Sequence, residues 1–225
     1  MLRRTICWPG NVEDFRIGED MMTEARTFNV HIRRLWPADK DAYRDHLLRL
    51  DARSRHERFG GGMSDEFLIS YAENCFGEGD LLFGAFVDGH MCGAAELRSE
   101  SAIWSEQAPF GRHIHAEAAF SVEGAYRRRG IGEKLFKRIL RAATNHGVET
   151  IEIVCLPDNV SMRRLAQKFE THFTFEESAL TGKLKARRPT PFSLFREATT
   201  DMVDFGASLF EAEKRALAPG SAKNV

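Results

Sequence analysis

Cysteine is scarce in this chain and widely spread, with Cys7, Cys75, Cys92 and Cys155 forming no Cys-x-x-Cys pair. That spacing excludes a disulfide framework or a clustered zinc site and suits reduced thiols in a cytoplasmic setting. Apolar runs are short, none approaching the ~20 residues that a membrane-spanning helix needs. Residues 1–28 carry Arg3-Arg4 but no apolar core of signal-peptide length, because Pro9, Gly10, Asn11, Glu13 and Asp14 interrupt it. A soluble, cytoplasmic protein with no membrane role is expected. Net charge is equally sparse at -1 over 225 residues, so no global basic field points to nucleic acid and arginine clusters are read locally. Tyrosine occurs only as Tyr43, Tyr71 and Tyr126, which restricts any phenolic proton donor to these positions. There is no internal repeat or low-complexity tract.

The length suits one domain with extensions. Its most informative stretch runs from Ala116 to Gly132: an alternating strand through Val122, a turn Glu123-Gly124-Ala125-Tyr126, then Arg127-Arg128-Arg129-Gly130-Ile131-Gly132 leading into a helical segment. Small residues at 130 and 132 let the backbone approach a ligand, and N–H groups at a helix start carry partial positive charge, so this is an anion cradle reinforced by three arginines. A dinucleotide fingerprint fails at Leu135, and a Walker loop fails at Gly132-Glu133-Lys134. What remains is Arg-x-x-Gly-x-Gly directly after a strand.

Around it, Phe28 to Leu35 alternates as a half-buried strand, and Pro37 with Asp39 opens a helix through about Arg53. Arg53 to Phe59, followed by Gly60-Gly61-Gly62, reads as a basic, solvated turn. Ser64 caps a helix to about Phe76. Asp80–Val87 and His90–Leu97 form a hairpin through Asp88-Gly89. An irregular segment Trp104–Arg112 precedes a strand His113–Val122. A helix over 133–146 ends at Gly147, and a β-branched strand Val148–Val154 is expected to be buried. Asn159 or Asp158 caps a helix to about Phe169, and Phe173-Thr174-Phe175 is a strand expected to pair with Gly182–Ala186. Pro189 and Pro191 mark a boundary before an amphipathic segment, Phe192 to Leu217, expected to pack on the domain or on a second subunit.

In its Arg-x-x-Gly-x-Gly loop, in Ala116-Glu117 ten residues before Arg127, and in the order strand Thr150–Cys155 then Leu156-Pro157-Asp158-Asn159-Val160-Ser161-Met162-Arg163-Arg164-Leu165, the chain resembles the GNAT superfamily of N-acetyltransferases, and within it the bacterial protein-lysine acetyltransferase branch. The resemblance covers roughly residues 29–187, leaving 1–28 as an N-terminal extension and 188–225 as a C-terminal amphipathic extension. It implies an α/β fold with a mixed, splayed sheet flanked by helices, acetyl-CoA as cosubstrate and no metal. It further implies transfer of the acetyl group to a primary amine, preferably a protein lysine, by direct attack. Residues 1–28 are too few for the cyclic-nucleotide-binding domain that precedes some of the resembled proteins. A homodimer is the remaining partner expectation.

By the same resemblance, amides of Arg128, Arg129, Gly130, Ile131 and Gly132 hold the diphosphate, with Arg127 to Arg129 adding charge. Backbone groups of Phe120, Ser121 and Val122 take the pantetheine arm, and Asn159 and Met162 complete the cofactor site. Glu117 is the expected general base, set among alanines that would partly desolvate it and so strengthen it. The alternatives are a polyamine or amino-sugar-like acceptor, or a degenerate member that senses acyl-CoA without catalysis. One departure stands out: a tyrosine that protonates the leaving thiolate in many of the resembled enzymes is Ala166 here. His113 and His115 lack a third nearby ligand for a metal, and Cys155 reads as a small buried hydrophobe rather than an acyl carrier. The acceptor pocket is expected from residues 53–63, 99–112 and the C-terminal segment.

Overall fold

The protein's computed structural model describes residues 29–77, 80–99, 115–176, 179–186 and 188–217. Seven strands form one mixed sheet in the order β1-β2-β3-β4-β5-β7-β6. They are β1 Val30–Arg34, β2 Leu81–Val87, β3 His90–Ser99, β4 His115–Val122, β5 Thr150–Cys155, β6 His172–Glu176 and β7 Ala179–Lys185. Every neighbouring pair is antiparallel except β4 and β5, which run parallel. The expected hairpin is present, with Asp88 at φ 50 and Gly89 at φ 79 supplying the turn. Phe173 pairs with Gly182 as expected. The N-terminal extension and the strand start at His113 lie outside the described residues.

Alternation divides the two central strands between two cores. Leu81, Phe83, Ala85 and Val87, with Cys92, Ala95 and Leu97, face helix α4 (Ile131–Asn145) and bury Leu135, Phe136 and Ile139 from it. Leu82, Phe86, Met91 and Ala94 face the other way, against Tyr43 and Leu47 of α1 (Lys40–Leu48) and Leu68 and Ala72 of α3 (Asp65–Asn74). Each such fully buried side chain is worth about 1.5–3 kcal/mol, so this double-sided burial makes the centre of the sheet rigid. Strand β5 departs from the expectation of full burial: Ile151 and Ile153 are buried, but Val154 is 50% exposed because only one face is covered.

The stretch read as a basic turn is a helix, α2 (Ala52–Phe59). Asp51 caps it, accepting hydrogen bonds from the Ser54 amide and hydroxyl at 2.7 Å each, and Gly60 at φ 75 ends it. The charge run concealed a one-sided helix, because propensity and capping outweigh polarity when the polar side chains have room to point outward. The helix expected from Pro37 to Arg53 correspondingly begins with a 3-10 turn over Pro37–Asp39 and stops at Leu48.

The C-terminal segment is one helix, α6 (Pro191–Leu217), but its polarity is inverted relative to the usual amphipathic arrangement. Glu197, Asp204 and Ser208 are buried, while Phe192, Phe195, Met202, Val203 and Phe210 stay exposed. Its inward carboxylates meet donors of the domain: Glu197 pairs with the Arg138 guanidinium of α4 at 2.5 Å, and Asp204 accepts from the Arg34 backbone amide at 2.7 Å. Phe205 adds an edge contact to Trp36, with ring centroids 5.3 Å apart.

Arg33 and Asp39, 3% and 0% exposed, form a bidentate pair of two 2.7 Å bonds joining β1 to the turn before α1. Burial opposes the charge on Asp39, but the Arg33 guanidinium outweighs it and holds the carboxyl below its ordinary 3.8. A depressed folded-state value stabilises above the unfolded one and loses that contribution as pH falls through the folded one. Asp39→Asn should therefore lower the unfolding free energy by about 3–5 kcal/mol at neutral pH. Urea titrations should show the difference from wild type narrowing as pH drops below 3.8.

Candidate active site

Strands β4 and β5 pair only from His115–Thr150 to Glu117–Glu152, after which β4 continues beside β3 alone and β5 beside β7. The parting opens a wedge in the middle of the sheet. The Glu123 amide donates across to the Cys92 carbonyl at 2.9 Å, so by strand alternation the amides of Phe120 and Val122 point the opposite way, into the wedge. Phe120 stacks on Phe136 at 5.2 Å, and Phe136 on Phe169 at 4.2 Å, which ties β4, α4 and the segment after α5 (Val160–Gln167) together at its base.

The arginine-glycine loop closes one end. Arg128 at φ 61 and Gly130 at φ 76 curl the chain so that α4 starts directly at the wedge. Gly130 occupies the N-cap position, and no side chain caps the helix there. The first-turn amides therefore have no internal partner and present their partial positive charge to the opening. At Gly132 the approach is close: a β-carbon there would stand 3.3 Å from the Leu165 side chain of α5, which would have to give way slightly.

The resulting cavity has a volume of about 710 Å³. It collects Phe120, Ser121, Val122, Arg127, Arg128, Gly130, Ile131, Gly132, Asn159 and Met162, ten of the residues singled out from the sequence. Asn159 also caps α5, its side chain accepting from the Met162 amide at 2.9 Å. Arg129 is not part of the wall and instead lies over the Tyr126 ring at 5.9 Å.

Glu117 is outside the wall as well. Its side chain is exposed, which corrects the expected desolvation: Ala116 and Ala118 are buried on the opposite face, since neighbours along a strand alternate. Cross-strand pairing sets Glu117 beside Arg98 on β3 and Glu152 on β5. His115 is exposed at the start of β4, and His113 lies outside the described residues. Among the described residues no group of three or more His, Cys, Asp or Glu side chains gathers as a metal site. Cys155 is buried, and burial pushes its thiol above the ordinary value, which disfavours the thiolate. Ala166 is fully buried.

The wall also carries residues from the 53–63 stretch expected at the acceptor pocket, and cations of α5 that were not singled out from the sequence. Arg53, Ser54, Glu57 and Arg58 arrive from α2, and Arg164 and Lys168 from α5 and its end. The cations divide by occupation. The Arg127 side chain bonds the Val122 carbonyl at 3.2 Å, Ser54 at 2.8 Å and Glu57 at 3.2 Å, fastening α2 to β4. Lys168 pairs with Glu133 at 2.9 Å, and hydrogen bonds from Lys137 and Lys168 hold Glu133 at about 2. Arg58 is turned inward to Glu96 at 2.6 Å, a buried carboxylate that also accepts from Tyr43, Tyr71 and Arg98. Arg128 and Arg164 have no carboxylate partner among the described residues and are free to meet an anion. Cues for α2 existed in Asp51-x-x-Ser54 and Gly60, and the approach of α5 was expected through Asn159 and Met162, whereas Arg164 and Lys168 had no such cue. A ligand with a diphosphate, an amide-bearing chain and a further phosphate matches this wall of helix amides, strand-edge backbone and two uncommitted arginines.

The acetyltransferase (GNAT) family model matches residues 44–170. Among solved structures, the chain is similar to the GNAT domain of S. lividans PAT, at 18% identity and a TM-score of 0.58, with 69% of this chain and 90% of that one covered. It is also similar to an N-acetyltransferase from Staphylococcus aureus Mu50, at 18% identity, a TM-score of 0.51 and coverage of 71% and 99%. A third similarity is to RimL, a ribosomal L7/L12 alpha-N-protein acetyltransferase solved with coenzyme A, at 12% identity, a TM-score of 0.55 and coverage of 71% and 94%. At these identities the structural likenesses establish the fold.

Gly130→Ala forces a β-carbon onto a residue at φ 76, at a cost of about 1–2 kcal/mol. Isothermal calorimetry with coenzyme A should show affinity falling roughly tenfold as the loop relaxes away from the cradle. Arg164→Ala should weaken affinity less as salt is raised, because the lost contact is ionic.

Proposed function

The chain belongs to the acetyltransferase (GNAT) family, and from that premise we propose that it transfers the acetyl group of acetyl-CoA to a primary amine, preferably a protein lysine, with Glu117 as general base. The observation that carries this reading is the wedge itself, where uncapped helix amides and the edge of β4 meet between strands that have parted. The α4 terminus with Arg128 and Arg164 would hold the phosphates. Phe120 and Val122 would bind the amide-bearing arm as an added strand, with the Val122 carbonyl already engaged by Arg127.

A lysine amine, with a reference pKa of about 10.4, is protonated at neutral pH and has to lose a proton before it can attack. Glu117 projects from β4 on the side reached by solvent, and Glu152 is its neighbour across the parallel pair. Glu152 is already paired with Lys183 at 3.1 Å, so the attraction this rim would offer a cationic acceptor rests on Glu117. Exposure of Glu117 suits a protein side chain delivered from outside, the amine surrendering its proton to the carboxylate and then to water.

Glu117→Gln preserves shape and removes the base. It should lower kcat for acetylation of lysine-containing peptides by about 10²–10⁴-fold, while calorimetry shows unchanged acetyl-CoA binding. Unchanged turnover would remove Glu117 from the mechanism.

A further inference from the structure

Behind the wedge stands a group of three side chains. Ser121, which lines the cavity, has its Oγ 2.9 Å from Nε2 of His46 on α1. The other ring nitrogen, Nδ1, lies 3.0 Å from Oε1 of Glu123 just past β4. His46 is fully buried and Ser121 is 8% exposed, so the wedge is where this group meets the reaction. Glu123 is fixed by two further donors, Arg49 Nε at 3.1 Å and His90 Nε2 at 3.2 Å.

The protons can be assigned from chemistry. Burial opposes ionisation of Glu123, but bonds from His46, His90 and Arg49 outweigh it and hold this carboxyl at about 2, so it is an acceptor only. His46 Nδ1 therefore carries a hydrogen and donates it. Burial lowers the basicity of His46 more than Glu123 restores it, leaving a neutral ring whose Nε2 lone pair accepts from the Ser121 hydroxyl. The charged and titratable groups that face His46 are Glu123, Arg49 and His90. A hydroxyl bonded to a neutral imidazole, itself held by a carboxylate, can take a proton on one side and pass its own to the other. The cavity wall carries three other hydroxyls, Ser54, Tyr126 and Ser161; Ser54 is committed to Asp51 and Arg127, and Ser121 is the one bonded to the buried His46 imidazole. Tyr43 and Tyr71 donate to Glu96, and Ala166 offers only a methyl group.

We propose that Ser121 is a second catalytic residue, carrying a proton from the attacking nitrogen to the departing sulfur, with His46 and Glu123 as the positioning residues that store it and hold the store. This rests on the acetyl-CoA reading above. Once the neutral amine has attacked the thioester carbonyl, its nitrogen bears an excess proton. That proton passes to Ser121 Oγ as the Ser121 proton moves to His46 Nε2, and Glu123 stabilises the imidazolium. The carbon–sulfur bond then breaks, the sulfur leaves with the electron pair, and the proton returns from His46 through Ser121 to the thiolate. An amide and a thiol result, with His46 neutral again. No oxidant or further reactant is required, and Ser121 forms no bond to carbon.

The test uses the full chain with acetyl-CoA and a lysine-containing peptide library. Ser121→Ala should lower kcat by about 10²-fold or more with acetyl-CoA affinity unchanged by calorimetry, and Ser121→Thr, which keeps a hydroxyl, should recover most of the rate. Nitrogen-15 NMR of the free protein at neutral pH should find His46 neutral, protonated on Nδ1 and unprotonated on Nε2. A wild-type rate in Ser121→Ala, equal loss in the Thr and Ala variants, a proton on Nε2, or an acetylated Ser121 trapped by mass spectrometry would each overturn the relay. So would wild-type protein that binds acetyl-CoA yet acetylates no peptide. Wild-type protein that binds no acetyl-CoA overturns the reading beneath it instead, which keeps the two failures apart.

Discussion

The parting of β4 from β5 is the constraint on which the rest of the site depends. A fully paired sheet would spend the backbone groups of Phe120 and Val122 on ladder bonds and leave no room for a ligand at its centre. Because pairing ends at Glu117–Glu152, these groups face an opening that the uncapped start of α4 also faces. The opening persists because each half of the sheet is secured independently. Strand β4 is bonded along Gly93–Ser99 of β3, and β5 is bonded over its whole length along residues 180–185 of β7.

Around that opening the structure uses charge to attach elements whose apolar contacts are few. Helix α2 has no large apolar face, and Arg127 joins it to the end of β4 through Ser54 and Glu57. Helix α6 is held by Glu197 and Asp201 pairing with the Arg138 and Arg34 guanidinium groups, and by Asp204 accepting from the Arg34 backbone amide. A buried pair costs more to break than it contributes on forming, since the surviving partner keeps its desolvation penalty without compensation. Such pairs therefore fix where an element docks more than they strengthen the domain. The arginine-rich loop illustrates the same economy. Arg127 is structural, Arg129 lies on Tyr126, and Arg128 remains for a ligand.

Much of the site was legible because it lies within one continuous stretch. The strand through Val122, the Arg-x-x-Gly-x-Gly loop and the helix after it are adjacent in the chain, so local geometry and spacing were sufficient to place the turn and the uncapped helix start that line the cavity. The hairpin at Asp88-Gly89 and the cap at Asn159 were readable for the same reason. Helix α2 was misread because its polar composition resembled that of a loop, although Asp51 and Gly60 carried its capping signals. The inward polarity of α6 had no local signal at all, since a carboxylate is buried only when a distant arginine waits for it.

The sequence by itself determined where the strand through Val122, the arginine-glycine loop and the helix after it lie, because backbone periodicity, glycine conformation and helix-terminal charge are local properties. The class of the fold followed from the family resemblance that those residues carry. Only the tertiary structure decided that Glu117 is exposed, that α2 and Arg164 complete the wall, and that His46 stands between Ser121 and Glu123. Those facts depend on which strands part and which helix packs over the sheet, and residues 75 positions apart in the chain become partners only after that packing is complete.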